Sequence, residues 1–222
     1  MKTYATFLGL IISSTLLFAQ KTVDISDFNS LKVYDKIPVE LVKSSENKVE
    51  ISGSMSDNIA VEQKNKEVKI KMTGTDLLQG DNVKVLVYYS DVNYLQASQG
   101  ASIKSSETLK TTNLELTSNE GSTIKLNLNV ENLEVKLNSG GNMMLDGNTT
   151  NQSIVVNTGG QYEAKSLISN NSTVTCNAGG HAWINASDKV DAKVRAGGVI
   201  EVYGNPDDKK QKKIAGGSIK FM

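Results

Sequence analysis

The stretch Ala178-Gly179-Gly180-His181-Ala182-Trp183-Ile184 reads as a glycine corner followed by residues that point alternately outward and inward. Working outward from it, the same phrase recurs as QGASIKS, EGSTIKL, GGNMML, GGQYEA, GGVIEV and GGSIKF. Anchored on Gly100, Gly121, Gly140, Gly159, Gly179, Gly197 and Gly216, the steps are 21, 19, 19, 20, 18 and 19 residues. A period near twenty with β-type alternation inside it specifies a solenoid, whose coils bury a shared interior only by stacking. The expected fold is therefore all-β: a parallel β-helix-like solenoid of about seven coils of 18–21 residues.

The columns define the inside. Three residues after each anchor come Ile103, Ile124, Met143, Tyr162, Ala182, Ile200 and Ile219; five after come Ser105, Leu126, Leu145, Ala164, Ile184, Val202 and Phe221. Before each anchor a second strand contributes Leu95, Leu116, Val135, Ile154, Val174 and Ala192, with Ala97, Ser118, Leu137, Val156, Cys176 and Val194 beside them. Two or three short strands per coil are expected to face this interior. The anchor glycines belong at corners, where the chain needs positive φ. Two residues before four of them stand Asn119, Asn138, Asn157 and Asn177, read as a stacked asparagine ladder, the alternative being solvated turn residues.

Residues 21–98 also alternate, without the clean period, and read as a β-rich N-terminal cap or as early coils; residues 99–222 are the repeat solenoid. A cap is needed because a naked terminal coil exposes an unpaired strand edge. Pro38, lacking an amide proton, must sit at an edge, a bulge or a strand start. Asn205-Pro206-Asp207-Asp208 is turn chemistry, and the lysines after it read as a solvated loop.

Residues 1–20 read as a signal peptide: Lys2 opens it, Phe7–Ile12 and Leu16–Phe18 are apolar, and Ala19 suits the cut. The stretch is too short and broken for a transmembrane span, and the mature chain offers no other. No cysteine lies near residue 20, so a lipoprotein anchor is not expected. Export to the periplasm, the cell surface or the medium is. Without Lys2 the chain has 23 basic and 24 acidic side chains, a balance that offers no basic face to nucleic acid. Cys176, the single cysteine, falls in an inward column and is read as a buried thiol.

The motifs VKVLVYYSDVNYLQASQGASI, the recurrent glycine corners and the ending AGGVIEVYGNPDD…AGGSIKF resemble the auto-transporter adhesin head GIN domain family, exported proteins of Bacteroidetes-type bacteria. The resemblance covers about residues 28–221. It implies a right-handed parallel β-helix-like fold and a role in cell-surface adhesion, and it carries no catalytic motif. The family's Ser-Gly-Ala corner is here mostly Gly-Gly, with Gln99-Gly100-Ala101-Ser102 the nearest match.

β-Helices also host polysaccharide lyases and hydrolases, whose chemistry needs clustered carboxylates on an outward column. The column Lys104, Lys125, Met144, Glu163, Trp183, Glu201, Lys220 holds two acids separated by Trp183, which is no catalytic pair. His181, the only histidine, has no companion ligands in its column, so neither metal nor cofactor is expected. The candidate binding residues are Trp183, His181, Met144 and Glu163, with Asn142 and Gln161 flanking: an exposed tryptophan on a flat sheet suits a sugar ring or a protein partner. The alternative is that Trp183 is covered by the loop Tyr203–Lys213 or rests on its neighbours. The reading is a non-enzymatic, surface-presenting binding protein for an unknown glycan or protein. A β-helix carbohydrate-active enzyme and a periplasmic structural protein are the alternatives.

Overall fold

The computed structural model describes residues 20–222 except Thr75; the expected signal peptide, Gln20 apart, lies outside the described residues. The strands are β1 (Lys21–Asp24), β2 (Ser30–Val33), β3 (Pro38–Lys43), β4 (Lys48–Gly53), β5 (Ile59–Lys64), β6 (Glu67–Met72), β7 (Val83–Tyr89) and β8 (Tyr94–Ala97). The repeats follow as β9 (Ser102–Asn119), β10 (Thr123–Asn138), β11 (Asn142–Val156), β12 (Gln161–Asn177), β13 (His181–Arg195), β14 (Val199–Tyr203), β15 (Asp208–Ile214) and β16 (Ser218–Phe221). All sixteen belong to one sheet wound around one core, a β-solenoid of about seven turns.

The coil differs from expectation in one respect. From β9 to β13 each coil is a single strand of 15 to 18 residues, not two or three short ones. Stacking is the reason: through the mid-coil bend the backbone goes on pairing with the coils above and below, apart from local bulges. Differences in repeat length are absorbed there as bulges. The coils begun at Gly121 and Gly140 are equally long, and β10 and β11 pair without a register shift. The longer coil of β9 forces a shift between Lys125 and Asn127, and that of β12 one between Met144 and Gly147.

Both expected inward columns before each corner are buried, as is the column three residues after it. Five residues after the anchor, burial holds from Leu126 to Val202, but Ser105 and Phe221 at the ends of the column are half-exposed. A third apolar wall lines the bend: Leu109, Leu128 and Leu167 are buried there, as are Leu114 and Leu133. In register with the last two stand Gln152, Ser172 and then Val190. The Gln152 amide donates to Ser169 Oγ and Ser172 Oγ, both at 2.9 Å, and accepts from Tyr162 Oη at 2.9 Å. The Ser169 hydroxyl donates to the Asn185 carbonyl oxygen at 2.8 Å, so this buried network closes.

At each corner two successive residues have positive φ; at Ser139 and Gly140 the values are 50° and 75°. The Gly141 amide closes the turn on the Asn138 carbonyl at 3.0 Å, a type I′ geometry. The second glycine is required by space: a Cβ on Gly141 would strike the Ser118 carbonyl of the preceding coil. Inside the turns, Asn138 donates to Asn119, Asn157 to Asn138 and Asn177 to Asn157, each at 2.8 Å.

The N-terminal segment is at once early coils and cap. Parallel pairing of β2 with β8 and β3 with β9 adds one rung, and β6 on β2 with β7 on β3 adds another. These rungs stack out of sequence order, which is why no period survives. Antiparallel β5, β4 and β1 then end the stack. Pro38 opens β3. At the other end the expected loop of lysines is the strand β15, paired to β13. Its residues Lys209, Gln211 and Lys213 continue the columns of Val190, Ala192 and Val194. Polar groups thus occupy the last inward positions, a means of discouraging edge-to-edge growth.

Candidate functional site

The outward residues near the C-terminal end are set by the register of β11 to β14 and β16. Asn142, Gln161, His181, Val199 and Ser218 form one row; Met144, Glu163, Trp183, Glu201 and Lys220 form the other. The pleat puts both rows on the same outer face, one rung apart per residue. Gln161 and Glu163 are exposed, and Asn142, Met144, His181 and Trp183 are half-buried.

His181 and Trp183 stack, with ring centroids 3.7 Å apart and planes inclined by 22°. Two residues apart on one strand, they point the same way, and the flat sheet leaves room for the rings to lie together. Lys165 reaches over both aromatic neighbours, its Nζ 5.6 Å from the Trp183 centroid and 4.9 Å from that of Tyr203. Glu201 Oε1 lies 3.9 Å from His181 Nε2, and Tyr203 Oη donates to the other Glu201 oxygen at 3.4 Å. His181 Nε2 is itself buried without a hydrogen-bond partner among the described residues. Burial holds the imidazole below its ordinary pKa; Glu201 opposes this, while Lys165 and Lys220 add to it. The ring is therefore neutral near pH 7 and presents an uncharged aromatic pair edged by a cation and a carboxylate.

Strand β15 pairs with the far half of β13, from Lys189 to Arg195, while Tyr203 shares the Lys165 cation with Trp183. Trp183 rests on His181 and Lys165. Lys165, Tyr203 and the partnering role of Glu201 escaped the sequence reading, which followed the outward columns two and four residues after each glycine. The signal lay one alternation further: Lys165 and Tyr203 each stand six residues past an anchor.

Elsewhere, the acids of the outward column do not converge. Among the described residues no group of three His, Cys, Asp or Glu side chains is placed to hold a metal ion. Cys176 is buried, and burial pushes its thiol up to about 12, which keeps it protonated and unreactive. No helix among the described residues is long and apolar enough to cross a membrane.

A stacked-coil β-solenoid with glycine corners and an aromatic pair on its outer face defines the class of fold. The chain belongs to the family described as "Putative auto-transporter adhesin, head GIN domain", whose model matches residues 27–206. Among solved structures it is similar to a "putative adhesin" from Bacteroides fragilis, at 20% identity and a TM-score of 0.86 over 94% of this chain and 98% of that one. A "putative adhesin" from Parabacteroides distasonis superposes at 0.75, with 19% identity over 92% and 97% of the two chains. Another Parabacteroides distasonis protein, described as a "Putative lipid binding protein", superposes at 0.71, with 18% identity over 92% and 96%. At these identities the likeness is one of fold. No curated protein matches the sequence.

Proposed function

We propose that this chain is an exported, non-enzymatic adhesin-like protein that holds a glycan or protein partner against the outer face of its solenoid. The carrying observation is the half-exposed His181–Trp183 stack with Lys165 over it, mounted on rows fixed by continuous β pairing. An aromatic surface held in place before binding loses little conformational freedom when a sugar ring or an apolar side chain settles on it. Glu163, Asn142 and Gln161 border it with hydrogen-bonding groups, giving the polar rim that such contacts need. Family membership supports the adhesive role, and the signal-like N-terminus supports export. The near-zero charge argues against nucleic acid as partner.

The test is retention of protein-coated beads on surfaces bearing mucin, collagen or fibronectin. Wild-type beads are expected to be retained above albumin-coated beads, and Trp183→Ala to weaken retention about tenfold, as for a central aromatic contact. Retention of the wild type no better than albumin on every surface contradicts the reading.

A further inference from the structure

A second asparagine ladder lies on the outside of the bend, in a column eight residues before each of Gly121, Gly140, Gly159 and Gly179. Asn132 donates to Asn113, Asn151 to Asn132 and Asn171 to Asn151, each at 3.0 Å. Asn113, Asn132 and Asn151 are exposed, unlike the half-buried corner asparagines. The ladder lines a groove of about 570 Å³ whose floor includes Leu114 and Leu133 and one wall of which is Tyr94.

An amide has two N–H donors and an oxygen with two lone pairs. Asn132 and Asn151 each use one donor and one acceptor within the ladder, so each retains one of both. The groove therefore offers a donor and an acceptor side by side, repeated at the strand spacing of about 4.8 Å. Adjacent donor–acceptor pairs are the complement of vicinal hydroxyls, and the interval is close to one pyranose of an extended chain. Tyr94 adds an aromatic wall for a sugar ring.

Charge narrows the ligand further. Glu115 and Glu134 are the charged lining residues, and Lys136 lies 3.0 Å from a carboxylate oxygen of each. Among the described residues no lysine or arginine lines the groove to attract a polyanion. We propose that this groove binds a neutral, extended polysaccharide through the exposed Asn113–Asn171 ladder. The inference rests on the binding role proposed above and adds to it a second site and a ligand class.

The test uses an array of neutral oligosaccharides of two to six sugars (cello-, xylo-, manno- and chito-series) with heparin fragments as the charged control. Wild type, Asn132→Ala with Asn151→Ala, Tyr94→Ala and Trp183→Ala are compared, each checked for an unchanged melting transition. The expected result is binding to a neutral series that strengthens with length. It should fall about tenfold in the double asparagine variant, fall in Tyr94→Ala, and persist in Trp183→Ala. Binding lost only in Trp183→Ala would overturn the groove while sustaining the aromatic face. Binding to heparin alone, or to nothing on the array, would also overturn the groove, and retention of coated beads on protein surfaces would then decide the broader role separately.

Discussion

Asn138 donates to Asn119 across 19 residues of chain at 2.8 Å, in the half-buried angle of a type I′ turn. Asn132 and Asn113 have the same sequence separation and a bond of 3.0 Å, yet stand in solvent. Bonds alike in geometry differ in what replaces them when broken. Asn138→Ala leaves Asn119 Oδ1 and Asn157 Nδ2 short of a partner in a sheltered corner, so a loss of about 1–3 kcal/mol is expected. Asn132→Ala lets water take the place of the amide, and a change within about 0.5 kcal/mol is expected. Urea unfolding of the two variants measures the contrast; equal losses would refute it.

The inner ladder also ends abruptly. Asn177 is in register with Arg195, and Asn177 Oδ1 is buried with no partner among the described residues. Arg195→Asn extends the ladder by one rung and satisfies that oxygen, for an expected gain of about 1 kcal/mol. Its thermal midpoint, compared with that of Arg195→Ala, separates a new hydrogen bond from simple loss of a charge.

Tyr162 is buried and its phenol donates to Gln152 Oε1. Burial raises the phenol's pKa far above its ordinary value, so it remains a donor across the accessible pH range. Tyr162→Phe strands the glutamine oxygen and is expected to cost about 1–3 kcal/mol. Adding Gln152→Leu removes the stranded amide but leaves Ser169 and Ser172, so a double-mutant cycle should show marked non-additivity.

Stability should respond to His181 near neutrality. Its pKa is lowered in the folded state, so the unfolded chain binds more protons just below the ordinary imidazole value of 6.5. The sign follows: its contribution is fully present above that pH and is lost as pH falls toward the depressed folded pKa. Thermal midpoints measured from pH 7.5 to 5.5 should fall in the wild type and fall less in His181→Gln.

The C-terminal rung should act as a stop. Replacing Lys209, Gln211 and Lys213 together by valine continues the apolar columns of Val190, Ala192 and Val194 to an open strand edge. End-to-end association is expected, read as concentration-dependent mass by light scattering. A monomer at all concentrations would show that polar inward residues are not what limits the stack.

What was legible in the sequence followed from stacking, and what was not followed from its local exceptions. The glycine steps and apolar columns name the coils because every rung solves the same burial problem. The N-terminal rungs were ambiguous because β6 and β7 lie beyond β2 and β3 in space although they follow them in sequence. Strand β15 read as a loop because Asp208–Ile214 carries no apolar alternation, its inward positions being lysine and glutamine. The candidate site was visible in Trp183 and His181, which stand in outward columns. Lys165 and Tyr203 stand six residues past Gly159 and Gly197, one alternation beyond the columns that carry Trp183 and His181. The outer ladder stands one step beyond the columns counted back from each corner: Asn113, Asn132, Asn151 and Asn171 each lie eight residues before Gly121, Gly140, Gly159 and Gly179.

The central claim is that this solenoid meets its partner outside the cell. Protease treatment of intact cells carrying the chain, with immunodetection beside a known periplasmic protein, tests it most directly. Loss of the chain while the periplasmic control survives is the expected result. Survival of both would place the chain behind the outer membrane and contradict direct adhesion.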